Sequence, residues 1–199
     1  MTTPHSPLSM PPLQPGDIVC CWGTDRVSRV ISLMTSWSSF WFAPAGLRWS
    51  PSHVAFVVGE RTTTDPLLWY ESTTLAQGFS GVQVHQPANR WADYQGRCVV
   101  YRLTEGNELE AEQIQRLQRR LRRMIETQVP YDLRGAVLSG TAFIQRWLPS
   151  RTQALFCSEL IARLLQEVGK LNWTSVSKYS PGRLLRTLVW SGIYERVEA

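Results

Sequence analysis

Apolar residues repeat with a period of two through much of the first half of the chain and with a helical spacing through the second. "GDIVCCW", from Gly16 to Trp22, is a short run of strand formers opened by Gly and Asp. Val27, Val30, Ile31 and Met34 then fit a helix from Asp25 to about Phe40. "SWSSFWFAPAGLRW" is aromatic and serine-rich, is broken by Pro44 and Gly46, and is expected to be an irregular flap. "HVAFVVG", "LLWYES", "GVQVHQ" and "RCVVYRL" follow as four strands, expected to form a meander.

Beyond residue 108 the period changes. "LEAEQIQRLQRRLRRMIE" sets Ile114, Leu117, Leu121, Met124 and Ile125 on one helical face. Further helices are predicted in "YDLRGAVLSGTAFIQRWL", in "CSELIARLLQEVG" with Gly169 as its stop, and in "SPGRLLRTLVW" after Ser180 and Pro181. Strands that cluster before helices indicate an α+β layer structure, an antiparallel sheet packed against helices. The 199 residues suffice for one well-buried core, and residues 16–199 are read as a single domain behind a flexible, proline-rich tail of residues 1–15.

The tail has neither a basic start nor an apolar core of the secretory kind, and no apolar run reaches the length of a membrane span, so a cytoplasmic protein is expected. The net charge is +5, and all but two of the 21 basic residues are arginine. Nucleic acid is nevertheless not the expected partner. The densest basic run, Arg116 to Arg123, is flanked by Glu105, Glu108, Glu110, Glu112 and Glu126, the pattern of a solvated helix face. Four cysteines and three histidines, without a C-x-x-C pair, point to neither a disulfide framework nor a zinc centre, and no metal or other cofactor is expected.

Three residues carry candidate chemistry. Cys157 opens a predicted helix, where free N–H groups and the helix dipole favour a thiolate; it also belongs to the apolar stripe of Leu160, Ile161, Leu164, Leu165 and Val168. Taken alone, packing explains it at least as well as catalysis. A cysteine nucleophile needs a base, and His53, opening "HVAFVV" after a proline-containing turn, suits that role better than His5 in the tail or His85 near the end of its strand. If the strands at 53–58 and 67–72 form a symmetrical hairpin, Glu71 lies directly opposite His53 on the same face, where a carboxylate can orient an imidazole.

Together "GDIV", "SHVAFVVG", "YES", "PYDLRG" and "FCSELIA" resemble the circularly permuted papain-like hydrolases, the permuted branch of the NlpC-type superfamily that is related to lecithin–retinol acyltransferase-like enzymes. The resemblance spans roughly residues 16–179 and rests on the order histidine strand, acidic residue, cysteine helix. It implies a permuted papain-like fold, with Cys157 as nucleophile at a helix N-terminus, His53 as general base and then acid, and Glu71 as the residue that orients the imidazole. Tyr131 and Tyr179 resemble positions near the family's cleft. The expected activity is cleavage of a peptide or isopeptide amide through an acyl-enzyme. The alternatives are a thiol acyltransferase or lipid amidase or esterase touching a membrane surface through residues 37–49, and a binding protein of the same fold without turnover. Core packing is the competing account of the aromatics in that segment.

Overall fold

The computed structural model describes residues 10–37, 47–60, 66–76, 79–131, 155–172 and 179–198. Its elements run β1 (Ile18–Gly23), α1 (Arg26–Trp37), β2 (His53–Val58), β3 (Leu68–Ala76), β4 (Phe79–His85), α2 (Pro87–Asp93), β5 (Gly96–Leu103), α3 (Ala111–Glu126), α4 (Cys157–Glu167), α5 (Pro181–Trp190) and β6 (Tyr194–Arg196). The molecule is α+β, a six-stranded antiparallel sheet packed against helices.

The strand order, β4-β3-β2-β1-β5-β6, corrects the four-strand meander. Only β2, β3 and β4 are consecutive hairpin neighbours. The run "RCVVYRL" pairs instead with β1, which is central and separates it from β2. The composition of β1 explains its place: Ile18, Val19, Cys20 and Cys21 are all buried, so both of its faces must be covered, which suits an interior strand. Ile18 and Cys20 join the large core beneath α3, α4 and α5, while Val19 and Cys21 join a smaller cluster on the opposite face with Ala55, Val57 and Trp69.

That second face corrects the reading of the tail as well. Leu13 is buried in the smaller cluster, and Arg102 donates to the Pro12 carbonyl at 2.7 Å, so residues 10–15 are anchored to the sheet. Arg102 also grips the buried Asp17 of "GDIV" through two donors at 3.0 and 2.9 Å. Two elements were not foreseen in the sequence, α2 and β6.

Three helices follow their local signals closely. In α3, Ile114, Leu117, Leu121 and Met124 are buried, and a capping box between Glu110 and Gln113 closes the first turn. Ser180 caps α5, its Oγ accepting from Arg183 N at 3.3 Å. Gly169, at φ +73°, follows α4, and the N–H of Lys170 donates to the Leu165 carbonyl at 2.8 Å, as in a left-handed helix stop. Residues 132–154, which contain most of the helix predicted from Tyr131, and residues 38–46 of the aromatic flap lie outside the described residues.

Candidate functional site

The start of β2 is held before any catalytic chemistry is considered. Ser52 donates through its backbone N–H and its hydroxyl to the Cys21 carbonyl, at 3.0 and 3.2 Å, and accepts from Gly23 N at 3.0 Å. These bonds set the register in which Cys21 faces His53 across β1 and β2. Cys157 is fixed with similar care. Ser72 donates to the Leu155 carbonyl at 2.6 Å, the Leu155 N–H donates to the Pro130 carbonyl at 2.9 Å, and the Ser158 hydroxyl donates to the Tyr179 carbonyl at 2.6 Å. The chain is therefore tied down on both sides of the cysteine. Cys157 is the first residue of α4, which packs across β2 and β3. Glu159, in the same turn, is ion-paired with Arg163 at 2.8 Å and supplies a negative charge at the positive end of the helix.

The structure brings Cys157, His53 and Glu71 together. His53 Nε2 lies 2.9 Å from Glu71 Oε2. Cys157 is hydrogen-bonded to the same ring. Their juxtaposition does not come from the predicted register. The hairpin pairs Phe56 with Tyr70 and Val57 with Trp69, a shift of two residues that removes Glu71 from the position opposite His53. A two-residue shift keeps every side chain on its face, whereas a one-residue shift would reverse it. Glu71 thus reaches His53 along the diagonal, a spacing that a long side chain can span.

Glu71 is fully buried and carries more partners than the sequence indicated. Trp69, two residues earlier on the same face, donates its indole N–H to Oε2 at 2.9 Å. On the other carboxylate oxygen, Arg90 Nη2 forms an ion pair at 2.8 Å and His85 Nε2 approaches to 3.3 Å without hydrogen-bond alignment. Arg90 comes from α2, which begins two residues after His85, with Pro87 at its first position. The Arg90 guanidinium also lies 5.6 Å from the centre of the Tyr94 ring. The His85 side chain, set aside as a base in the sequence because it lies near the end of its strand, is buried against this carboxylate.

The charges follow from these contacts. Burial alone would raise the pKa of Glu71. The His53 charge and hydrogen bond, then His85 and the Arg90 charge, reverse that and hold it well below the ordinary 4.5. Burial alone would lower the pKa of His53, but the charges of Cys157 and Glu71 and hydrogen bonds to both raise it from 6.5 to about 10. His53 is an imidazolium at neutral pH, paired with the Glu71 carboxylate. Its contribution to stability is fully present below pH 6.5 and is lost as the pH rises toward 10; that of Glu71 is present above 4.5 and is lost as the pH falls through its depressed value. We expect the His53 ring resonances of the wild type to titrate near pH 10 by NMR and those of Cys157→Ala to titrate at lower pH. An unchanged midpoint in the variant would contradict the coupling.

His53 opens onto a cleft of about 370 Å³ lined also by Asp25, Ser52, Thr73, Arg90, Asp93 and Tyr94. Tyr131 lines it too, whereas Tyr179 serves through its backbone carbonyl beneath Ser158 and stacks against Arg183. Burial pushes the Tyr94 hydroxyl above its ordinary range, partly offset by a hydrogen bond to Ser52, so this wall of the cleft presents a neutral phenol. Trp69, His85 and Arg90 are the supporting residues that sequence reasoning missed. A signal for the last was present, because the Pro87 helix start directly after His85 makes an early helical cation available at the carboxylate.

No helix among the described residues is long and apolar enough to cross a membrane. No protein-family model matches the chain, and no curated protein matches it. A solved structure described as the metalloprotein yiiX from Escherichia coli O157:H7, DUF1105, is similar to it: the TM-score is 0.51 at 19% identity, covering 94% of this chain and 88% of that one. At this identity the likeness concerns the fold alone. Metal is a statement about that protein. Here the carboxylate of Glu71 is occupied by Arg90, His53 and Trp69, a cationic and N–H donor set that does not suit a metal ligand. Among the described residues no cluster of three or more His, Cys, Asp or Glu side chains could hold a metal ion.

Proposed function

We propose that this chain is a thiol-dependent hydrolase of amide bonds with a permuted papain-like arrangement, in which Cys157 attacks, His53 transfers protons and Glu71 orients the imidazolium. The observation that carries the reading is one ring, His53, bonded on one side to a buried carboxylate and on the other to a cysteine at the first position of a helix. In the reaction the Cys157 thiolate adds to the substrate carbonyl carbon, and the resulting oxyanion is met by the backbone N–H of Cys157, one of those a helix start leaves without an intrahelical partner. Collapse of the adduct breaks the C–N bond as His53 gives its proton to the departing amine, leaving a thioester. Neutral His53 then takes a proton from water, the hydroxide adds to the thioester, and the acid and the Cys157 thiolate are released with His53 protonated again.

The cleft favours a peptide-like substrate over a lipid tail. Asp25, Ser52, Thr73, Asp93 and Gln95 give its wall hydrogen-bonding and charged groups suited to amides, where an acyl chain would call for an apolar lining. A lipid-facing acyltransferase or amidase is the second reading, favoured by Val30 and Leu33, exposed one turn apart on α1, and by exposed Trp49.

The two are separated by incubating the purified chain with peptide and isopeptide amides and, in parallel, with acylated lipids in vesicles, and measuring product together with the intact mass of the protein. An acyl adduct on Cys157 with peptide amides, absent from Cys157→Ala, is the expected result. Adducts formed only with the lipid panel would replace the first reading by the second. Turnover undiminished in Cys157→Ala would remove both.

A further inference from the structure

A second pair of thiols, on the other face of the sheet from the core that holds Cys157, has no part in the mechanism above. Cys21 of β1 and Cys98 of β5 are directly opposed in the sheet register, and the Cys98 Sγ lies 3.2 Å from the Cys21 Sγ, donating to it. Directly opposed residues on antiparallel strands have Cα atoms about 4.5–5.5 Å apart, inside the ~4.4–6.8 Å range over which a disulfide can close. Both are free cysteines in the structure. Closing the bond requires the sulfurs to approach from 3.2 Å to about 2.0 Å, a movement that side-chain rotation can supply.

We infer that Cys21 and Cys98 form an oxidisable dithiol site, which a hydroperoxide converts to a cross-strand disulfide. Burial sets the order of events. Cys21 is fully buried whereas Cys98 is only partly so, which makes Cys98 the sulfur that meets the oxidant. Its sulfur attacks a peroxide oxygen, the O–O bond breaks, and an alcohol or water leaves with the bonding pair, giving a sulfenic acid on Cys98. Cys21 then attacks that sulfur, the S–O bond breaks and water departs. In sum, two thiols lose two protons and two electrons, and one hydroperoxide becomes one alcohol and one water.

The sheet also selects the partner. Cys20 is adjacent in sequence but pairs with Val99 and points to the opposite face, into the same core as Cys157. Cys21 and Cys98 share their face with Trp91 and Tyr94, and Tyr94 lines the cleft. Oxidation would therefore be registered in the cleft wall without consuming Cys157.

The test uses the full chain carrying Cys157→Ala, so that the nucleophile contributes no thiol. After treatment with hydrogen peroxide, remaining thiols are alkylated in denaturant and peptides are mapped by tandem mass spectrometry, with fragmentation between Cys20 and Cys21. The expected product is a Cys21–Cys98 disulfide, the free-thiol count falling from three to one and returning to three with dithiothreitol. The wild-type chain, mapped the same way, gives the same bond and guards against any misfolding of the variant. A disulfide through Cys20 or Cys157, a sulfinic acid on Cys98 without a cross-link, or no oxidation at either cysteine would overturn the inference.

Discussion

Glu71→Gln lowers the free energy of unfolding by about 3–5 kcal/mol, the range found when one member of a buried ion pair is removed. The carboxylate is fully buried and faces His53 at 2.9 Å, Arg90 at 2.8 Å and His85 at 3.3 Å. Gln preserves the shape and can still accept from Trp69, so the loss isolates charge from packing. What is left behind is an Arg90 guanidinium, only 17% exposed, and a His53 whose proton has lost the carboxylate that held it. Urea denaturation at pH 6 measures the effect in the window where the contributions of both His53 and Glu71 are complete. At higher pH the deficit narrows, because the wild type itself gives up the His53 contribution on the way to pH 10. A loss below about 1 kcal/mol at pH 6, the level of an exposed ion pair, would mean that the cluster is solvated and that Glu71 does not anchor the ring.

The same cluster shows which parts of the molecule were legible in the chain. Period-two and helical spacing located β1 to β5, α1, α3, α4 and α5 because each has a strong local pattern and most have a recognisable start or stop, such as Ser180 or Gly169. Pairing is different in kind. The central place of β1 depends on which strand edge is free once the β2–β3–β4 hairpins have formed, and no local signal in "RCVVYRL" states that its partner is eighty residues back.

Register is intermediate between the two. Alternation fixed the face on which Glu71 emerges, so His53 and Glu71 were placed on one side of the sheet, but the length of the β2–β3 connection left the offset open by two residues. The contact survives because a glutamate reaches diagonally; an aspartate at position 71 would not span the same offset. Arg90 and His85 were hidden for the opposite reason. Their role exists only because β4 runs back alongside β3, setting His85 opposite Trp69, and because α2 then turns over the end of the sheet.

His53→Ala slows carbamidomethylation of Cys157 by iodoacetamide at pH 7 by about 100-fold, the lower end of what a positioned proton-transfer partner contributes. The argument rests on the ion pair. In the wild type the His53 imidazolium pairs with Cys157, and Glu71 keeps the proton on the ring, so the proton-transfer partner is in place beside the sulfur. Burial works against reaction, since Cys157 is only 2% exposed, but His53 borders the cleft and the reagent is small. The other thiols provide internal standards. Burial raises Cys20 and Cys21 well above the ordinary thiol range, so both react slowly at this pH, and Cys98 is the half-buried reference. Site-resolved mass spectrometry at pH 7 is expected to give Cys157 as the fastest of the four in the wild type. If Cys157 labels no faster than Cys98 and the substitution leaves its rate unchanged, the cysteine is a packing residue of α4 and the proposed nucleophile is wrong.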